Sequence, residues 1–427
     1  MSSRQRAAAL LAGALCAGTL QSAPAAADPS PSARADGPRA SAAIAAPGSI
    51  VFIRDHNVWL ARGDGTGAYR VTRDGTATAP YRSPSQSDTG VIAVSRRHLI
   101  IRMTQNGTML NTIDPPPLVG GPNTPAGDVA ISPDGRHIAY SLIAHQCDLG
   151  TPGCRPSVAS SVTRAETPTP ATTYGITPHW SPSWASNTRL LASGGYLYQI
   201  MVKDLGSAPV HWFDDHELSN VPPGASTDLS DAELSPDGTR LAAVRGWGDD
   251  TRITWYEVIG DPRVGAPPGP PVWTCMTSAL DGLSSPSWAP DSLHFAWQEP
   301  DGIWATTAAQ PCTDPTRIIP NASEPDWSAA PLAPAPRRLE ASGRPTVKGT
   351  ARVGRRLTSR SPLFTPSAQR IGYRWLCNSN PIRSATTRNY RLTRKDRGCR
   401  IQLRITASRN GHLSVTVTSP ATRKVRR

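Results

Sequence analysis

In Asp128-Val-Ala-Ile-Ser-Pro-Asp-Gly-Arg-His-Ile-Ala-Tyr140 an apolar run enters a polar turn and an alternating strand leaves it. The same pattern returns at Asp231-Ala-Glu-Leu-Ser-Pro-Asp-Gly-Thr-Arg-Leu-Ala-Ala-Val244. Pro presets φ, Asp can bond the backbone just ahead of it, and Gly accepts φ > 0, so Ser-Pro-Asp-Gly predicts a tight turn between strands. Weaker copies stand at Ser183–Ala192 and Ser287–Trp297, a degraded one at Tyr81-Arg-Ser-Pro before Val91-Ile-Ala-Val, and a truncated one at Pro325-Asp-Trp-Ser328. Anchored on the turn Ser or its Ala equivalent at 83, 132, 185, 235, 289 and 328, the copies are separated by 49, 53, 50, 54 and 39 residues. Strand-and-turn modules repeating at that spacing predict the blades of a β-propeller, six of them.

The last anchor has no strands after it. Ser49-Ile-Val-Phe-Ile, Asn57-Val-Trp-Leu-Ala and Tyr69-Arg-Val-Thr precede the first anchor and belong to no other blade. Pairing 49–75 with 324–330 would therefore close the ring and remove its open edge. The anchor residues Ser132, Asp134, Ser235, Asp237 and Asp291 are expected in turns. Trp184, Trp288 and Trp327, just before their turns, are assigned to packing between blades. The spacing and the Ser-Pro-Asp-Gly turns resemble the WD40-like (PD40) repeats of the TolB propeller family over about residues 48–330. The resemblance implies fold rather than activity, because the matching residues are turn and core residues.

Met1 to Ala27 combines a basic start (Arg4, Arg6), an apolar run and a small-residue end, which reads as a signal peptide cleaved after Ala27. Leu15 before Cys16 argues against a lipoprotein signal. Residues 28–47, rich in Ala, Ser and Pro, read as a flexible linker. TolB-family members carry a folded α/β domain at that point, and 20 residues leave no room for one. With no later run approaching a membrane span, the mature chain is expected to be secreted or associated with the cell envelope. Without Cys16, six of the seven cysteines remain. They fall into local pairs, Cys147 with Cys154, Cys275 with Cys312 and Cys377 with Cys399, and an even count in an exported chain favours disulfides.

Past an Ala/Pro-rich linker at 331–344 the charge changes abruptly. Residues 333–427 hold 23 Lys+Arg against two acids, Glu340 and Asp396, while the rest of the chain is acidic on balance. Pro345–Thr358, Ile371–Cys377, Asn389–Thr393, Cys399–Ala407 and Leu413–Ser419 alternate as strands of a small sandwich over 345–427. In order and motif they look like the immunoglobulin-like modules appended to bacterial exported proteins. That likeness makes Trp375 the core Trp, with Cys377 and Cys399 near enough to bridge. The basic bias is nearly all Arg, which suits phosphate and carboxylate; Arg391, Arg394, Lys395, Arg397, Arg400 and Arg404 are the expected anion-binding surface. Genomic base composition is the competing explanation for the bias.

His211-Trp-Phe-Asp-Asp-His-Glu217 is the densest group of ligand-type side chains. On a strand, alternation would put His211 and Asp215 on one face and Asp214 and His216 on the other, a poor arrangement for one ion; no metal is expected there, and a solvated loop between blades is the alternative. Trp212, Trp247, Trp255, Trp273 and Trp304 are less constrained by the repeat, and any of them at a channel mouth could stack on a sugar or peptide. The chain has no Gly-x-Ser-x-Gly elbow and no appended hydrolase domain. No catalytic residue and no cofactor are assigned. The expected function is an exported, non-enzymatic binding protein. Its all-β six-bladed propeller would hold an envelope protein, peptide or glycan, and its basic sandwich would act as an electrostatic anchor to anionic wall polymer or lipid headgroups. The alternative is a secreted propeller enzyme, a glycan or peptide hydrolase or lyase, which would bring carboxylates together at the channel. Nucleic-acid binding ranks last for want of an aromatic-interleaved basic groove.

Overall fold

A computed structural model describes residues 46–115, 126–145, 156–194, 199–218, 220–221, 228–335, 337–409 and 412–427. The expected signal peptide, nearly all of the 28–47 linker, and Cys147 and Cys154 lie outside the described residues.

The fold is all-β, built of antiparallel sheets, and the described residues include only four single-turn 3-10 helices. Among the described residues up to Ser328 there are six sheets. The first is Tyr81–Gln86, Val91–Arg96, Leu99–Thr104 and Met109–Ile113; the second has three strands, Ala126–Ile131, His137–His145 and Pro156–Arg164. The third is His179–Trp184, Arg189–Gly194, Gln199–Asp204 and Val210–Phe213. The fourth is Leu229–Leu234, Arg240–Arg245, Arg252–Glu257 and Val272–Met276, and the fifth Ser284–Trp288, His294–Glu299, Gly302–Thr307 and Thr316–Pro320. In each, strands follow one another in chain order, as short turns dictate.

The sixth sheet departs from that order. Its first strand is Ser323–Ser328, followed by Ser49–Arg54, Asn57–Arg62 and Tyr69–Arg70. Ile50 pairs with Trp327 and Ser49 with Ser328. Apolar residues on both sides of Ser49–Arg54 are fully buried: Val51 joins a core shared with the first sheet, and Ile50 and Phe52 one shared with the fifth. A strand buried on both faces reads as a continuous apolar run, and Ile50-Val-Phe-Ile53 is one.

The repeated turns take the geometry their residues demand. Ser132 Oγ accepts from His137 N (3.0 Å) and donates to Asp134 Oδ1 (2.6 Å), while Gly135 adopts φ 75°. Ser235 and Asp237 repeat this with Arg240 N and Gly238, and Asp291 caps the fifth-sheet turn through Leu293 N and His294 N.

Beyond the sixth sheet the chain stays attached. Gln105 Nε2 donates to Pro331 O (3.1 Å), Leu332 packs on the core of the first and sixth sheets, and Arg338 donates to the carbonyls of Arg70 and Val71. Glu340–Ala341 then pairs with Phe364–Thr365. A three-stranded sheet (Thr346–Lys348, Arg356–Arg360, Asn389–Arg391) shares one core with a four-stranded sheet (Asn380–Pro381, Arg370–Cys377, Ile401–Arg409, His412–Thr418). Trp375 is fully buried in that core, stacked on Tyr390, and donates to Thr387 O (2.8 Å).

Two disulfides are present among the described residues, Cys275–Cys312 and Cys377–Cys399. The first ties the last strand of the fourth sheet to the loop after Gly302–Thr307 of the fifth. The second ties the end of strand Arg370–Cys377 to the segment just before Ile401–Arg409, with which that strand pairs (Cys377 opposite Ile401). No helix among the described residues is long and apolar enough to cross a membrane.

Candidate functional site

The first strands of all six sheets line one cavity of about 740 Å³. Every one of these strands is broken by a bulge where its register to the next strand slips, and in five of them the bulged residue has a left-handed backbone: Ser83, Ser181, Asp231, Ser285 and Glu324, with φ between 46° and 54°. Asp128 holds the corresponding place in the second sheet, within its own register slip. A bulge removes a backbone N–H from the ladder and leaves it to be satisfied elsewhere.

Carboxylates of the preceding sheet satisfy three of these groups. Ser181 N donates to Asp128 Oδ2 (3.1 Å), Ser285 N to Asp231 Oδ2 (2.7 Å), and Ser83 N to Glu324 Oε2. The bulge position thus alternates round the cavity: Ser in the first, third and fifth sheets, acid in the second, fourth and sixth. Two residues further on the alternation repeats as Ser85, Ala130, Ser183, Glu233, Ser287 and Asp326, with Ala130 the exception. There Glu233 accepts from Trp288 N (3.0 Å), Asp326 from Gln86 N (2.5 Å), Ser85 Oγ from Ile131 N (3.0 Å) and Ser287 Oγ from Trp327 N (2.9 Å). The belt is both inter-sheet fastening and cavity lining.

The five carboxyl groups of the belt therefore face one space, which the exposed Asp88 also lines. By accessible area the belt side chains are half-buried, because the cavity is open, yet the carboxyl groups of Asp231, Glu233, Glu324 and Asp326 lie deep among protein atoms, and that depth governs their protonation. Burial, with Asp128 adding to it, pushes Asp231 up to about 7. Burial followed by the charges of Asp326 and Asp231 raises Glu233 well above the ordinary glutamate range. Asp326 is pushed up to about 6 by burial and the Asp88 charge. Burial also raises Glu324, against the pull of Ser83 N–H and Arg82. Among the lining residues the only cationic side chains are Arg82 and Arg263. Arg82 is two-thirds exposed and 3.9 Å from Glu324, and Arg263 is bonded to Asp261 and Pro236 O.

Trp184 and Trp288 donate from Nε1 to Ala130 O (2.9 Å) and Glu233 O (3.1 Å) of the sheet before, whereas Trp327 reaches Pro47 O (2.9 Å). Of the less constrained tryptophans, Trp212 and Trp255 are core residues and Trp247 is half exposed with its Nε1 on Asp228 (2.7 Å). Trp273 and Trp304 are partly buried, packed against neighbouring cores. None of the five lines the cavity.

A second charged surface lies after residue 345. Cross-strand register places Arg356 opposite Arg391 and Arg374 opposite Arg404, and isolated bridges pair Arg352 with Arg426 and Arg400 with Lys424. All eight are exposed. Like charges directly opposite one another disfavour a sheet. Among the described residues, no Lys or Arg after 338 is ion-paired with a carboxylate. Asp396 is buried and spent on Thr393 and Tyr390 Oη. The sequence-derived set divides over this surface: Arg391 on the three-stranded sheet, Arg394 and Lys395 on a 3-10 turn with Arg397 capping it, Arg400 before the long strand, and Arg404 on the outward face of the four-stranded sheet. Register supplies their partners Arg356, Arg374 and Lys424, which alternation along single strands did not single out.

Residues 211–217 do not continue as one strand, on which alternation would have separated these side chains. The strand ends at Phe213 and a 3-10 turn, Asp215–Glu217, follows with Asp214 as its cap. Asp215 turns inward to Arg245 Nε (2.9 Å) and Tyr256 Oη (3.0 Å); burial pushes its carboxyl up to about 6 while Arg245 pulls it down. His211, Asp214 and Glu217 instead come together, with donor atoms all within 4.8 Å of one another.

No family model matches the chain, and no curated protein matches it. Among solved structures it is similar to a putative TolB from Agrobacterium tumefaciens, with TM-score 0.39 and 13% identity over 64% of this chain and 89% of that one. It is similar to the WD40 β-propeller domain of Doa1, with TM-score 0.36 and 10% identity over 64% and 81%, and to a chain of the mitotic checkpoint complex, with TM-score 0.37 and 14% identity over 60% and 75%. The likeness is to WD40- and TolB-like β-propellers at low identity.

Proposed function

We propose that the chain is an exported, non-enzymatic binding protein. In this reading the six sheets form a closed six-bladed propeller, sealed by strand 49–54 against 323–328. The two later sheets form an immunoglobulin-like sandwich that anchors the molecule to an anionic envelope polymer or to lipid headgroups. Residues 331–344 are then the connection between the two. The observation that carries the reading is the set of four cation pairs held opposite one another with no acid between them, an arrangement whose repulsion is relieved when a polyanion lies across it. The cavity, with acids inside and Arg82 and Arg263 the only basic side chains among its lining, suits a partner that presents a cation, such as a basic side chain of an envelope protein or peptide. The six cysteines left after signal removal fit an oxidising compartment.

Retention of full-length protein on a polyphosphate column, and on native envelope, is expected to fall steeply as salt rises. The Arg374→Gln/Arg404→Gln variant should elute at lower salt and with a shallower salt dependence. Equal retention of wild type and variant at every salt concentration would reject the anchor.

A secreted hydrolase or lyase remains the second reading, favoured by the convergence of Glu233 and Asp326, with raised carboxyl groups, on one cavity. Against it, each of these groups already spends an oxygen on a neighbouring backbone N–H. Turnover of envelope glycan or peptide that disappears in Glu233→Gln would decide for the enzyme.

A further inference from the structure

We propose that His211, Asp214 and Glu217 form a binding site for one divalent transition ion of the zinc type, at the outer edge of the third sheet. The donor set is one imidazole nitrogen and two carboxylate oxygens, the mixture that borderline ions such as Zn²⁺ accept.

Burial on either side fixes the frame that holds these donors. Trp212 and Phe213, which follow His211, are 3% and 0% exposed, and Asp215, which follows Asp214, is locked to Arg245 and Tyr256. Asp214, the cap of the 3-10 turn, accepts from His216 N through Oδ1 (2.8 Å), which holds its side chain over the turn within reach of Glu217. His211 points the same way, its Nε2 3.0 Å from Glu217 Oε1. Glu217 alone holds the ring, because Nδ1 is buried without a hydrogen-bond partner.

Charge supplies an independent argument. Two carboxylates are held together here, and among the described residues no Lys or Arg pairs with either; their only basic neighbours are His211 and His216. Arg245, close by, is turned inward to Asp215. Donors at ~2 Å from a tetrahedral ion stand roughly 3.4 Å apart; His211 Nε2 and Glu217 Oε1, 3.0 Å apart, are already close to that separation, and all three donor atoms lie within 4.8 Å of one another. With side chains 37%, 17% and 40% exposed, the three residues leave the ion's remaining positions open to water.

The test is calorimetric titration of ZnCl₂ into the full-length protein after chelator treatment, with CoCl₂ as a spectroscopic probe of the same site. Wild type should bind one ion saturably, and the Co²⁺ complex should show a visible ligand-field band. His211→Ala and Glu217→Gln should each weaken binding at least about tenfold and lose the band, with metal-free melting curves confirming that each variant is folded; Glu217→Gln preserves side-chain shape should His211→Ala unfold. No saturable binding by wild type would overturn the site, as would binding left unchanged by Glu217→Gln.

Discussion

Asp231 shows how the belt couples protonation to folding. Its carboxyl titrates near 7 in the folded chain and near 3.8 in the unfolded one, so between those values the native state holds a proton that the unfolded state has lost. Stability from this group is fully present below about pH 4 and is lost as pH rises through about 7. Asp231→Asn keeps an oxygen acceptor for Ser285 N and cannot ionise. Melting temperature measured from pH 4 to 8 should therefore fall less steeply in this variant than in wild type. Glu324→Ala leaves Ser83 N, a bulged N–H inside the cavity wall, without its acceptor, and chemical denaturation should report a loss of about 1–3 kcal/mol. The turn residues Ser132, Asp134, Ser235 and Asp237 were legible because their roles are local. The acid and serine columns, four and two residues before each turn Ser, lie in the same repeats. They passed unnoticed because they differ from copy to copy, and their meaning lies in what the next sheet offers.

At the scale of elements, the strand and turn order of the sheets was read from periodicity, and the two disulfides among the described residues from the even cysteine count and local pairing. The corner at 211–217 was not, since alternation assumes that a strand continues, and here Asp214 ends it by capping its own turn. The Cys275–Cys312 link closes a loop with a sequence separation of 37 between the fourth and fifth sheets. Replacing both cysteines by serine should cost roughly 3–4 kcal/mol in the loop-entropy model, measured by denaturant unfolding. Phe52, fully buried between the fifth and sixth sheets, should cost about 3–5 kcal/mol as Phe52→Ala.

For the whole molecule, the separation of charge is the property with the widest reach. Residues 333–427 carry 23 basic side chains against two acids, while the cavity lining gathers carboxyl groups. Salt should therefore act in opposite senses on two measurements: it weakens retention on polyanions, and by screening the Arg–Arg pairs it should raise the melting temperature of that part of the chain in the absence of any partner.

The sixth sheet sets a timetable for assembly. Strand Ser49–Arg54 emerges early from the ribosome, yet its partner Ser323–Ser328 is made some 270 residues later. Until then a continuous apolar run waits with one edge bare, exposed to neighbouring chains doing the same. Nascent chains stalled before residue 323 should be captured by holdases or pair with one another, and release of the last strand should end both.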